Sequence, residues 1–208
     1  MMMTPENPKG IRVDLQLIAD MIAPGTRVLD AGCGNGMLLD YLWRFKQVDA
    51  RGIEISTKGV QACVSSGLSV VQGDVETDLK DYPDGAFDYV ILSQTLQAMR
   101  EPREVLEQMM RIGKRAIVSL PNFGYWRLRL FMMFKGRMPV NENLPYAWYN
   151  TPNIHFCTIR DFVALTQDMD LTIERSLFLD EEGSSKTIGN SVAVANWFGE
   201  QGVFLLRK

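Results

Sequence analysis

Short apolar runs alternate with stretches of helical periodicity along most of the chain, and their order predicts a layered α/β fold. From Arg12 to Ile22 the apolar residues Val13, Leu17 and Met21 recur at helical spacing, and Pro24-Gly25 breaks that helix. Arg27-Val28-Leu29 then runs as a strand into Asp30 and a glycine-rich turn. Met37 to Phe45 reads as helix and Ala50 to Ile55 as strand, with Ser56 as the N-cap of a helix reaching about Ser66. Leu68 to Gln72 is the next strand, ending at Gly73-Asp74. Phe87 to Ser93 (FDYVILS) carries bulky apolar residues on both faces, as a central parallel strand does. Pro102 opens a helix through Ile112, and Ala116 to Leu120 is again a strand. This alternation implies right-handed βαβ crossovers and a doubly wound, Rossmann-like parallel sheet.

The pattern lapses between about residues 121 and 157. That stretch holds Phe123, Tyr125, Trp126, Phe131, Phe134, Tyr146, Trp148 and Tyr149 with several Pro and Gly, too aromatic for a disordered linker. Within it, Trp126 to Met138 mixes Arg127, Arg129, Lys135 and Arg137 with large apolar residues. A lid helix over a pocket is the simplest reading, a protein-binding surface comes next, and a membrane-surface helix is the weakest of the three. Beyond it, Thr158 to Asp168 predicts helix and Leu171 to Leu179 strand. Ser191 to Phe198 fits either a strand or a short helix, and Gly202 to Arg207 a last strand.

Composition narrows this little but excludes much. The 208 residues suit one domain, 1–208, with an aromatic-rich lid insertion at about 121–157. A net charge of −3 gives no field for nucleic acid. No apolar run reaches the ~20 residues of a membrane span. Three scattered cysteines and the single His155 exclude a zinc site, and unpaired thiols with no signal-peptide pattern make the cytoplasm the expected compartment.

The chemistry concentrates in VLDAGCGNG, Val28 to Gly36. A buried strand delivers Asp30 to its carboxyl end, and Gly32, Gly34 and Gly36 let a ligand lie against bare backbone. A dinucleotide fingerprint would need a third glycine where Met37 stands, and Asp30 would repel a pyrophosphate. A carboxylate there instead suits the ammonium of a methionine moiety, which favours S-adenosylmethionine over NAD. Glu54 ends the next strand, 24 residues on (54 − 30), in position to accept from ribose hydroxyls. Asp74 follows the third strand, where it is either a turn or cap residue or an acceptor for an adenine amino group, with the Val75 amide donating to the ring.

These residues resemble the class I S-adenosylmethionine-dependent methyltransferases over about Arg12 to Lys208. The resemblance implies a seven-stranded, mostly parallel sheet with the last strand antiparallel. It implies a cofactor site, for S-adenosyl-L-methionine or S-adenosyl-L-homocysteine, made of Asp30, Gly32, Cys33, Gly34, Asn35, Gly36, Glu54, Ile55, Asp74, Val75, Ser93 and Gln94. A closer resemblance is to the methionine-biosynthesis MetW family, carried by IADMIAPGTRVLDAGCGNG, FDYVILSQTLQAM, VSLPNFGYWRLRL and NWFGEQGVFLLRK. It implies partnership with a homoserine O-acyltransferase. Methyl transfer to a small molecule is the alternative, but no catalytic residue is evident. The region after the fourth strand reads SQTLQAM, without a base, and His155 is better suited to a structural role.

Overall fold

Strand β1 (Arg27–Ala31) is buried along nearly its whole length, because Val28 and Leu29 face opposite sides of a sheet covered on both. In this computed structural model, which describes residues 11–141, 144–189 and 191–208, β1 pairs in parallel with β2 (Asp49–Glu54) on one side and β4 (Phe87–Ser93) on the other. β3 (Ser69–Gln72) extends the sheet beyond β2, and β5 (Gly113–Pro121) beyond β4. The last strand, β8 (Gln201–Arg207), inserts antiparallel between β5 and β6 (Thr172–Leu179). The order is β3-β2-β1-β4-β5-β8-β6-β7. The seven expected strands are all there. The eighth, β7 (Ser185–Thr187), is a three-residue exposed edge folded back on β6.

Period-two alternation sorts the strand side chains into two cores. Leu29, Val90, Leu92, Ala116, Val118 and Phe204 pack on one face with α5 (Pro102–Ile112) and α7 (Ile159–Asp168). Val28, Ile91, Ile117 and Val203 pack on the other with α1 (Val13–Asp20) and α2 (Met37–Lys46). Ser56 caps α3 (Thr57–Ser65) as its sequence predicts, accepting from the Gly59 amide, and Thr158 with Asp161 forms a full capping box on α7.

The irregular excursion after β5 is anchored rather than loose. α6 (Trp126–Lys135) buries only Leu128, against Tyr125 and Leu144. Arg127 pairs with Glu181, and the Arg129 guanidinium lies over the Trp197 ring. The ambiguous Ser191 to Phe198 segment becomes α8 (Val192–Phe198), fixed through buried Asn122, whose amide donates to the Asn196 and Gly199 carbonyls at 3.0 and 2.7 Å. Among the described residues no helix is long and apolar enough to cross a membrane, and no group of side chains could hold a metal ion.

Candidate functional site

The sheet's direction of winding reverses between β1 and β4, and open α/β sheets bind ligands at such a switch, beyond the strands' carboxyl ends. Here that point carries the glycine turn. The Gly32 and Cys33 amides donate to the Ile53 carbonyl at 2.8 and 3.1 Å, clamping the turn to β2. Gly34 and Gly36 both adopt left-handed backbone, φ +57° and +80°. A side chain at Gly36 would strike Leu68 and Cys63, whereas one at Gly34 would point into open space. Gly36 is therefore demanded by packing, and Gly34 leaves room for a ligand.

Two acids sit under this turn. Glu54 is 8% exposed, and its Oε2 accepts from the Gly34 amide at 2.9 Å while Oε1 accepts from Ser56 at 2.7 Å. It thus shapes the turn, and each oxygen keeps a second lone pair for a further donor. Asp30 is 3% exposed, and its Oδ1 has no partner among the described residues. Burial, and next the nearby Glu54, raise its pKa from 3.8 to about 7. An unpartnered buried carboxylate oxygen is costly, and a cation supplied by a ligand would relieve it.

The other expected site residues divide. Asp74 caps the short α4 (Val75–Asp78), its Oδ1 accepting from the Glu76 amide at 3.0 Å, and Val75 opens that helix, buried. Ile55 is a largely exposed apolar side chain beside Glu54, and Asn35 is exposed in the glycine turn. Cys33 is buried with Leu39 and Cys63, and burial followed by the charge of Asp30 pushes its thiol far up, which makes it inert. Ser93 shares a 3.1 Å hydrogen bond with Ser119, and the Gln94 side chain reaches Gln201 on β8 at 3.3 Å.

What meets the glycine turn from β4 is Thr95, a residue that no sequence pattern singles out. Its Oγ1 lies 3.2 Å from where a Gly32 Cβ would stand and donates to the Ser93 carbonyl at 2.7 Å. Its place after FDYVIL is the only signal the sequence offers. Gln97 is not a base, yet it is buried with Oε1 unpartnered among the described residues. Its carbonyl accepts from the Ile154 and His155 amides, both at 2.9 Å, so the returning limb of the excursion is tied beside β4. The His155 ring sits 3.4 Å from the Arg100 carbonyl, and Thr158 with Asp161 caps α7.

The profile described as "Methionine biosynthesis protein MetW" matches residues 12–206. The chain belongs to the MetW family. It is 35% identical over 179 residues to the bifunctional methionine biosynthesis protein MetXA/MetW of Rhodopirellula baltica, covering 82% of this chain and 29% of that one. It is also 30% identical over 94 residues to ajmaline N-methyltransferase of Rauvolfia serpentina, covering 41% of this chain and 32% of that one. The chain thus spans only about a third of the length of these relatives. Among solved structures, a "SAM-dependent methyltransferase, possible histamine N-methyltransferase" from Thermotoga maritima superposes with TM-score 0.68 at 19% identity. That match covers 94% of this chain and 87% of the other. The [4+2]-cyclase SpnF superposes at 0.65 with 18% identity, covering 98% and 85%. These establish the class I methyltransferase fold for this MetW family member. The cyclase shows that the fold does not dictate the chemistry.

Proposed function

We propose that this MetW protein binds S-adenosylmethionine or its demethylated product at the carboxyl ends of β1 to β4. In methionine biosynthesis it would then support a homoserine O-acyltransferase. The observation that carries the cofactor reading is the buried, unpartnered Asp30 oxygen beneath an open glycine turn. The ligand's ammonium would pair with Asp30, ribose hydroxyls would donate to the remaining lone pairs of Glu54, and adenine would meet Asp74 and the Val75 amide beside exposed Ile55. When bound, S-adenosylmethionine supplies a methyl group on a positively charged sulfur. For the chain's own residues the work is to bind and orient. Thr95, Gln94 and Gln97 follow β4 where a proton acceptor would be needed, and none is a base.

The partner reading is supported by family membership and by the relative that carries MetXA and MetW on one chain. Methyl transfer to a small molecule is the second reading. It is favoured by the buried Gln97 Oε1, which has no partner among the described residues and would accept from an amine or hydroxyl.

Calorimetric titration with S-adenosylmethionine, S-adenosylhomocysteine and NADH tests the cofactor. The first two are expected to bind, and binding of NADH alone would overturn the reading. A methyl-transfer assay on whatever co-purifies from native cytosol separates the two functions.

A further inference from the structure

The excursion after β5 presents a contiguous apolar surface. Phe131 and Phe134 lie three residues apart on α6, and Met138 follows left-handed Gly136, which ends the helix. Met138 and Trp148 line two adjoining grooves, one shared with Phe131 and Val140, the other with Tyr146 and Phe156. Trp148 is 73% exposed and Phe134 74%. Together with Tyr149, whose ring meets Trp148 at 5.8 Å, the patch exposes on the order of 1,000 Å², taking ~150–250 Å² for a whole aromatic side chain. Typical monomers stop at about 300–600 Å², and one side of a standard protein interface is about 800 Å².

The patch is also preformed. The Phe123 amide donates to the Cys157 carbonyl at 3.1 Å, the Phe123 and Phe156 rings meet edge-on at 4.8 Å, and Tyr125 donates to Glu181 at 3.1 Å. Little ordering would be needed on binding, which favours association. At its edge, Arg127 and Arg129 are engaged internally, whereas Lys135 and Arg137 form no ion pair among the described residues.

We propose that this surface is where the acyltransferase docks. This rests on the partner reading above and adds the face that makes the contact. Three considerations select that occupant. The bifunctional relative carries MetXA and MetW on one chain, which keeps such a partner within reach of a MetW face. In a two-fold dimer the same patch would face itself, so Lys135 and Arg137 would gain no acidic complement from it. A bilayer is smooth, whereas the patch carries a 630 Å³ groove between Phe131 and Trp148, suited to a protruding side chain. The matching face of the acyltransferase should carry such a side chain within an acidic rim.

The test mixes the full chain with a separately purified MetXA-type homoserine acyltransferase and measures affinity by calorimetry. Phe134→Ser with Trp148→Ser should weaken binding about a hundredfold, as loss of central aromatic anchors does. Lys135→Glu with Arg137→Glu should weaken it further at low salt than at high salt. Both variants should keep the wild-type melting temperature and S-adenosylmethionine affinity. If the wild type binds the acyltransferase and both variants bind it equally well, the docking surface is wrong and the partnership stands. If the wild type does not bind it at all while binding S-adenosylmethionine, the partner reading falls, and this proposal with it. If the double-serine variant abolishes self-association, or binding to phosphatidylglycerol vesicles, without changing acyltransferase affinity, the surface belongs to that other occupant.

Discussion

Replacing Asp30 with asparagine removes a charge that the unliganded fold holds at a cost. The folded pKa of about 7 lies roughly three units above the ordinary 3.8. At ~1.4 kcal/mol per unit, ionised Asp30 destabilises the unliganded protein by about 4 kcal/mol. The sign follows from proton counting. Between about pH 4 and 7 the unfolded chain has lost the Asp30 proton and the folded chain keeps it, so this group's contribution falls as pH rises. The loss is complete above pH 7 and absent below pH 4. In Asp30→Asn an amide is buried in the same place, a pH-independent penalty of about 1–3 kcal/mol. The informative quantity is therefore the difference in unfolding free energy between Asp30→Asn and wild type, measured by urea titration at pH 4.5, 6, 7 and 8.5. It should shift in favour of the variant by about 3–4 kcal/mol across that series. A flat difference would refute the buried, unpartnered carboxylate. With S-adenosylmethionine bound, the ammonium should hold Asp30 ionised, so wild-type affinity should rise with pH up to about 7, while that of Asp30→Asn stays level.

The glycine turn separates packing from binding. Gly36→Ala places a Cβ 2.5 Å from Leu68 Cδ1 and 2.8 Å from Cys63 Sγ at φ +80°, and thermal unfolding should register a loss of about 2–4 kcal/mol. Gly34→Ala meets open space and should cost only about 1–2 kcal/mol, yet it should weaken S-adenosylmethionine at least tenfold; unchanged affinity would take Gly34 out of the site. Glu54→Ala removes the acceptor of the Gly34 and Ser56 amides and the expected ribose partner, so affinity should fall about tenfold or more by calorimetry. Asn122→Ala leaves four hydrogen-bonded backbone groups without their partner, the carbonyls of Asn196 and Gly199 and the amides of Gly124 and Ile159. It should cost about 3 kcal/mol or more in urea unfolding, with loosening centred on α8 and the base of the excursion.

The alternation of apolar runs and helical periods determined the sheet, because each element must bury one face or stripe and the order of elements leaves few ways to do so. FDYVILS became β4 and Pro102 to Ile112 became α5 with no change of boundary. VLDAGCGNG was equally legible, since a glycine pattern beside an acid is written in consecutive residues. What consecutive residues do not carry is who stands opposite. Ser191 to Phe198 suits strand or helix by its own residues, and it is Asn122 that supplies hydrogen bonds holding it as α8. β7 exists only because β6 offers it an edge. Thr95 joined the site through its approach to Gly32, 63 residues away (95 − 32), and Gln94 turned toward Gln201 on a strand that arrives last in the chain. The same holds for the acids. Sequence placed Asp30, Glu54 and Asp74 at three strand ends, but only the folded chain decided that Glu54 ties down the turn, Asp74 caps a helix, and Asp30 is buried with an oxygen unpaired among the described residues. Burial and pairing are properties of neighbours far apart in the chain, and they decide which of three similar carboxylates is left buried and which is tied into a turn or a cap.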